Sequence, residues 1–222
     1  MRVFLEKQDI STLVKISRDE TFTVGATSLI KNYGIGCTVL NTVVLGDSEV
    51  GSEEYLQVIN EVIIAKKNLF IFITQSGFDE SKVFSGKFID VWSQSEGDNT
   101  RLMLALAYML KTSEKWRDAT LTFKSTVSNE DQRQGVQTHL ETFLAESQIL
   151  AEVEVVFGEE ESYQQIVKSS KEADLVFFGV KSDKDGRVSE SIYKEMFEGM
   201  KDLPNTVFVL KGESTGFKDI FK

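Results

Sequence analysis

Few side chains in this chain could do covalent chemistry. Acid–base or nucleophilic catalysis needs a positioned proton acceptor beside an activated nucleophile, and histidine is the commonest acceptor. The 222-residue sequence holds one, His139. It lies in Gln137-Thr138-His139-Leu140-Glu141, a run with the period of an amphipathic helix, where it reads as a structural residue on or near the surface. No GxSxG elbow, HExxH, CxxC or spaced His/Cys set occurs, so hydrolase triads and the usual zinc sites lack their ligands. The single cysteine, Cys37, has no second thiol to pair with, which makes a reducing, cytoplasmic setting the default. No enzymatic activity, metal or cofactor is expected.

Two loops resemble ligand loops and fail on charge or spacing. Gly46-Asp47-Ser48-Glu49-Val50-Gly51-Ser52-Glu53 follows an expected strand and opens an expected helix, with the glycine spacing of a phosphate loop. Glu53 stands where the phosphate-binding lysine belongs, and Asp47, Glu49 and Glu54 add negative charge beside a polyanion. A polar turn with acids at a helix start is the simpler reading. Asp183-Lys184-Asp185-Gly186 has the middle of a calcium loop, but Ile192 occupies the place of the bidentate glutamate; a solvated loop suffices.

The elements that position these residues alternate strongly. Short runs rich in β-branched and aromatic residues are separated by longer runs of helical period, the pattern of an α/β protein with a mostly parallel sheet. In the first half the pattern predicts strands at Gly36–Leu45 and Asn68–Thr74 around a helix at Glu53–Lys67, preceded by a strand at Arg2–Leu5 and a helix at Thr23–Asn32. The second half reads as five strands, Lys87–Trp92, Asp118–Lys124, Ile149–Phe157, Asp174–Gly179 and Asn205–Leu210. Helices at Thr100–Thr112, Asn129–Ser147, Glu160–Lys171 and Ser189–Met200 connect them. Five strands with four crossovers make a doubly wound sheet. Asp90, inside the first of these strands, needs partners if that strand is central. Ser76–Gly86 breaks both periods and divides the chain into subdomains 1–86 and 87–222, which could be distant repeats of one plan although no motif recurs at a fixed period.

Composition narrows the partners. Lys plus Arg number 25 against 35 Asp plus Glu, a net charge of −10, which suits no polyphosphate backbone, so nucleic acid is not expected as a partner. Hydrophobic residues make up 41% and proline occurs once, a globular composition. No apolar run approaches the roughly 18 to 20 residues that span a bilayer. The start, Met1-Arg2-Val3-Phe4-Leu5-Glu6, turns charged too soon for a signal peptide. Trp92, Trp116 and Tyr108 lack interleaved basic residues and read as core or interface aromatics.

A family resemblance enters at Phe84-Ser85-Gly86-Lys87-Phe88-Ile89-Asp90-Val91-Trp92, which resembles the GxIDxWW signature in the cytoplasmic C-terminal domain of cation-chloride cotransporters. The order that follows is similar as well. Leu102-Met103-Leu104 opens a helix, Trp116-Arg117 precedes the strand Ala119-Thr120-Leu121-Thr122-Phe123, and Ala151-Glu152-Val153-Glu154-Val155-Val156 resembles an AEVEVV strand. Ala173–Phe178 and Met196–Gly212 are similar to the family's last two segments. Ser93 replaces the second Trp of the signature and the long linkers of eukaryotic members are absent, which suggests a prokaryotic member.

The resemblance implies two universal-stress-protein-like α/β subdomains with doubly wound sheets, forming a noncatalytic regulatory and dimerisation domain. Such a domain hangs from a transporter that moves chloride with sodium, potassium or both, on the cytoplasmic face of the membrane. Ile89, Asp90, Val91, Trp92, Trp116 and Arg117 would be its structural signature. Its partners would be a second copy of the domain, through a face the sequence does not identify, and the transporter's transmembrane part, with no small-molecule substrate bound here. The alternative is a free-standing stress-type nucleotide-binding protein. Stress proteins that hold ATP use a GxxGxxxxxxxxxG[ST] loop after their fourth strand, whereas Gly179 is followed here by Val180, Lys181 and Ser182, without the second glycine.

Overall fold

Side-chain caps set where the main helices begin. In the computed structural model, which describes residues 16–35, 38–46, 51–74, 87–93, 98–158, 163–183 and 185–212, α1 (Phe22–Asn32) starts at Thr21, whose hydroxyl accepts the Val24 N–H at 3.3 Å. The two-residue strands β1 (Gly34–Ile35) and β2 (Thr38–Val39) pair antiparallel and lead into β3 (Thr42–Leu45). Helix α2 (Glu53–Ile64) is capped by Ser52, which accepts from Tyr55 N–H at 3.1 Å, and carries Glu53 and Glu54 in its first turn. The acids at this helix start therefore complement its dipole, as the sequence suggests. Then follow β4 (Asn68–Ile73), β5 (Phe88–Trp92), α3 (Asp98–Lys111), β6 (Thr120–Val127), α4 (Glu130–Ser147), β7 (Glu152–Phe157), α5 (Tyr163–Ser169), β8 (Leu175–Gly179), α6 (Glu190–Gly199) and β9 (Thr206–Leu210).

Two first-half elements differ from the sequence reading. The expected strand Gly36–Leu45 is broken before Thr42, where the Leu40 carbonyl accepts from Lys67 Nζ at 2.5 Å and the Asn41 carbonyl from Asn68 N–H at 2.7 Å. Helix α2 stops at Ile64 rather than Lys67, because Lys66 takes a left-handed φ of 57° that turns the chain into β4. The expected strand Arg2–Leu5 and the boundary Ser76–Gly86 lie outside the described residues.

The α/β reading holds, and the sheet joins both halves of the chain. Apart from the two-stranded β1–β2 pair, the strands of both halves share one seven-stranded sheet in the order β3-β4-β9-β8-β5-β6-β7. All neighbours are parallel except β4 and β9, which pair antiparallel from Leu69↔Leu210 to Ile73↔Thr206. Both of these strands are apolar runs, and left as edges each would expose a row of unpaired backbone groups. Their mutual pairing removes both edges. Helices α1, α2, α5 and α6 pack on one face of the sheet, while α3 and α4 pack on the other.

The antiparallel seam also reveals the repeat that the sequence hides. About the Ile71↔Phe208 pair the registers are symmetric: the pairing of β3 with β4 matches that of β8 with β9, which aligns Gly46 with Gly179 at the ends of β3 and β8. Beyond those glycines the match is Ser52 with Ser189, both N-caps, and Asn68 with Asn205, both at the entrance to the seam strands. The helices are locked across the seam. Asn60 Nδ2 donates to the Val188 carbonyl at 3.0 Å, its Oδ1 accepts the Val188 N–H at 3.1 Å, and the Tyr193 hydroxyl accepts the Gly51 N–H at 2.6 Å.

Candidate functional site

Strand order locates the place to look. From β5 the chain winds outward through β6 and β7, then returns to the other side of β5 as β8 and β9. The carboxyl ends of β5 and β8 therefore diverge at a topological switch point, where open α/β sheets form a crevice. A cleft of about 360 Å³ lies there, lined by Trp92 from the end of β5, by Asn99, Thr100 and Met103 from the start of α3, and by Gly179 to Ser182 after β8.

The crevice is bridged by a side chain. Asn99 Oδ1 accepts the Lys211 N–H at 2.7 Å, and its Nδ2 donates to the Val180 carbonyl at 3.3 Å, so one amide ties the exit of β9 to the exit of β8. Val180 itself continues the ladder: its N–H donates to the Val209 carbonyl at 2.8 Å and its side chain is buried in the core. Lys181 places its ammonium 5.5 Å from the centre of the Tyr163 ring.

Below the cleft sits a buried ionic cluster built on three adjacent strands. Asp90 of β5 and Lys124 of β6 have side chains only 6% exposed, with Nζ–Oδ2 at 3.0 Å. The same ammonium reaches Glu154 of β7 at 2.9 Å, and the Ser169 carbonyl and hydroxyl at 2.9 and 3.0 Å. Because Ser169 ends α5, Lys124 supplies a cation where that helix concentrates negative charge. Trp92 donates its indole N–H to Ser170 Oγ at 2.8 Å, and Lys124 Nζ lies 5.9 Å from the Trp92 ring centre. Burial pushes the Asp90 carboxyl up from its ordinary value. Lys124 pulls it back down by charge and hydrogen bond, and Ser170 by hydrogen bond.

The signature residues thus separate by role. Ile89 and Val91 face the α3–α4 core, while Asp90 and Trp92 face α5. Trp116 fills the α3–α4 core and Arg117 is exposed beside it. Of the two roles open to Trp92 and Trp116, core and interface, the structure supports the core: they are 1% and 7% exposed. His139 is on an exposed stretch of α4, away from the cluster. Asp183 turns its carboxylate onto the N–H groups of Asp185 and Arg187 at 2.9 and 2.8 Å, closing its own loop. Cys37 lies outside the described residues.

Sequence reasoning required a partner for Asp90 but found neither Lys124 nor Glu154. A signal was present, since a lysine inside Thr120-Leu121-Thr122-Phe123-Lys124 on a strand beside Asp90 is costly to bury alone. Asn99 carried no comparable signal.

The fold is an α/β domain whose last five strands follow the doubly wound order β9-β8-β5-β6-β7. The chain is similar to the cytoplasmic domain of a prokaryotic cation chloride cotransporter, with 20% identity and a TM-score of 0.62 over 90% of this chain and 73% of that one. It is also similar to a putative universal stress protein from Pseudomonas aeruginosa, at 12% identity, TM-score 0.57, 93% of this chain and 74% of the other. A functionally unknown protein from Pseudomonas aeruginosa PAO1 matches at 13% identity, TM-score 0.59, 96% and 75%. No protein-family profile matches the chain. No curated protein matches its sequence.

The switch point departs from the phosphate loop of ATP-holding stress proteins at two positions. A phosphate cradle needs free backbone N–H groups and close approach of the main chain. At Val180 the N–H is engaged by the Val209 carbonyl, and Ser182 stands at the position of the absent second glycine.

Proposed function

We propose that the chain is a noncatalytic cytoplasmic domain of a membrane cation-chloride cotransporter, acting through pairing with a second copy and contacts with the transporter's membrane part. The observation that carries this reading is the ordered motif series centred on Ile89-Asp90-Val91-Trp92, which lies on a fold shared with such a domain. The signature's polar member has a structural job: Asp90 anchors the Lys124 cluster that fixes α5 to the sheet. Among the described residues no helix is long and apolar enough to cross a membrane, so ion translocation on this reading belongs to another part of the protein. Chloride symport with sodium or potassium, and the cytoplasmic face of the membrane, come with the same proposal.

The rival reading, a stress-type nucleotide-binding protein, has in its favour the cleft at the switch point. Two measurements on the purified chain separate them. The preferred reading expects a dimer mass by light scattering at tens of micromolar and no saturable heat on titration with ATP. A monomer that binds ATP stoichiometrically overturns it in favour of the rival.

A further inference from the structure

We propose that the groove between α1 and the β3–α2 unit binds a small amphiphilic monoanion, a carboxylate carried on an apolar tail. The cavity is about 600 Å³, within the range of small-molecule sites. Its walls are mainly apolar, from Leu29 and Ile30 of α1, Val43 and Leu45 of β3, and Val58 of α2. One wall carries a positive charge, that of Lys67. Lys67 is 8% exposed, and its ammonium donates to the Leu40 carbonyl at 2.5 Å. It makes no ion pair with any carboxylate among the described residues.

An ammonium has three donors, and Leu40 accounts for one. A buried cation with a neutral partner and an apolar wall is costly unless an anion joins it. The other charged lining groups, Asp19 and Glu20, are exposed and solvated, so the buried charge of the groove is positive. They disfavour a second negative charge on the ligand, which points to a monoanion rather than a phosphate ester. Along β3, three strand steps of about 3.3 Å offer roughly 10 Å of apolar track for a tail. A carboxylate at Lys67 with its chain along Val43 and Leu45 satisfies both the charge and the surface.

Sodium decanoate, decanol and acetate, titrated calorimetrically into the intact chain, test this. Decanoate is expected to bind saturably at one site. Decanol, with the tail alone, and acetate, with the head alone, should each bind weaker by about tenfold or more, the scale of one charge-assisted hydrogen bond. Lys67→Gln should lose about tenfold for decanoate and nothing for decanol, Lys67→Arg should retain decanoate binding, and Ala26→Phe, which narrows the groove, should abolish it. Circular dichroism melts identify any variant that fails to fold, and the wild-type comparison of decanoate with decanol stands without variants. Equal affinity for decanoate and decanol, no saturable decanoate binding, or unchanged binding in folded Lys67→Gln overturns the proposal. So does Lys67-dependent sedimentation with phosphatidylglycerol vesicles in the absence of decanoate binding, which would make the groove a lipid-headgroup contact instead.

Discussion

Replacing Lys124 with methionine removes the one cation that Asp90, Glu154 and the end of α5 share. The loss can be built contact by contact. Breaking a buried pair by deleting one partner costs about 3–5 kcal/mol, because the remaining charge is stranded; Asp90 and Lys124, each 6% exposed at the side chain, are such a pair. The Glu154 contact adds little, since that carboxylate is half exposed and screened by water. For a domain of this size about 3–5 kcal/mol lowers the melting temperature by roughly 6–20 °C. The loss depends on pH in a defined direction. With the ammonium gone, Asp90 neutralises by taking a proton, so acid returns up to about 1.4 kcal/mol per pH unit until the carboxyl is protonated. Urea melts followed by circular dichroism at pH 7 and pH 5 should therefore give a smaller deficit at pH 5. The double variant Asp90→Asn/Lys124→Met should recover about half the loss or more at pH 7, because no buried charge is left alone. A loss below about 1 kcal/mol for Lys124→Met, or a double variant no better than the single, would refute the electrostatic account of the cluster.

Asp90→Asn should flatten the pH dependence of stability. Burial raises the native Asp90 value above its ordinary 3.8, so its stabilising contribution is full below that value and lost as pH rises through the native one; denaturation series from pH 3.5 to 7 read the difference in slope. Asn60→Leu leaves both backbone groups of Val188 without partners and should cost about 2–4 kcal/mol in urea melts, from two unmade buried bonds. Gly212→Ala drives a Cβ into the Lys66 and Lys67 backbone and should lower the melting temperature. Gly135→Ala on exposed α4, where nothing stands within 4 Å, should gain about 0.5–1 kcal/mol.

How much was legible in the sequence follows from the range of the interactions. Strands β4, β5, β8 and β9 announce themselves because they are short apolar runs buried in the sheet, and α2 and α6 because Ser52 and Ser189 punctuate their starts. Asp90 was conspicuous as a carboxylate in such a run. Its answer, Lys124, comes from a neighbouring strand, and the end of α5 comes from farther along still, so only tertiary pairing reveals the cluster. The joining of the halves into one sheet was illegible for the same reason. Nothing local in Asn68–Ile73 says that its partner is Thr206–Leu210 or that the pairing is antiparallel. The repeat was hidden because few side chains recur: Gly46 with Gly179, Ser52 with Ser189 and Asn68 with Asn205 mark turns, caps and strand entrances, while the apolar positions between them are interchangeable.

The measurement closest to the central claim is an immunoblot of native cells with an antibody raised against this chain, after separation of membrane and soluble fractions. The account predicts a membrane band several times heavier than 25 kDa that resists salt and carbonate extraction. A soluble band at the mass of the chain alone would contradict it.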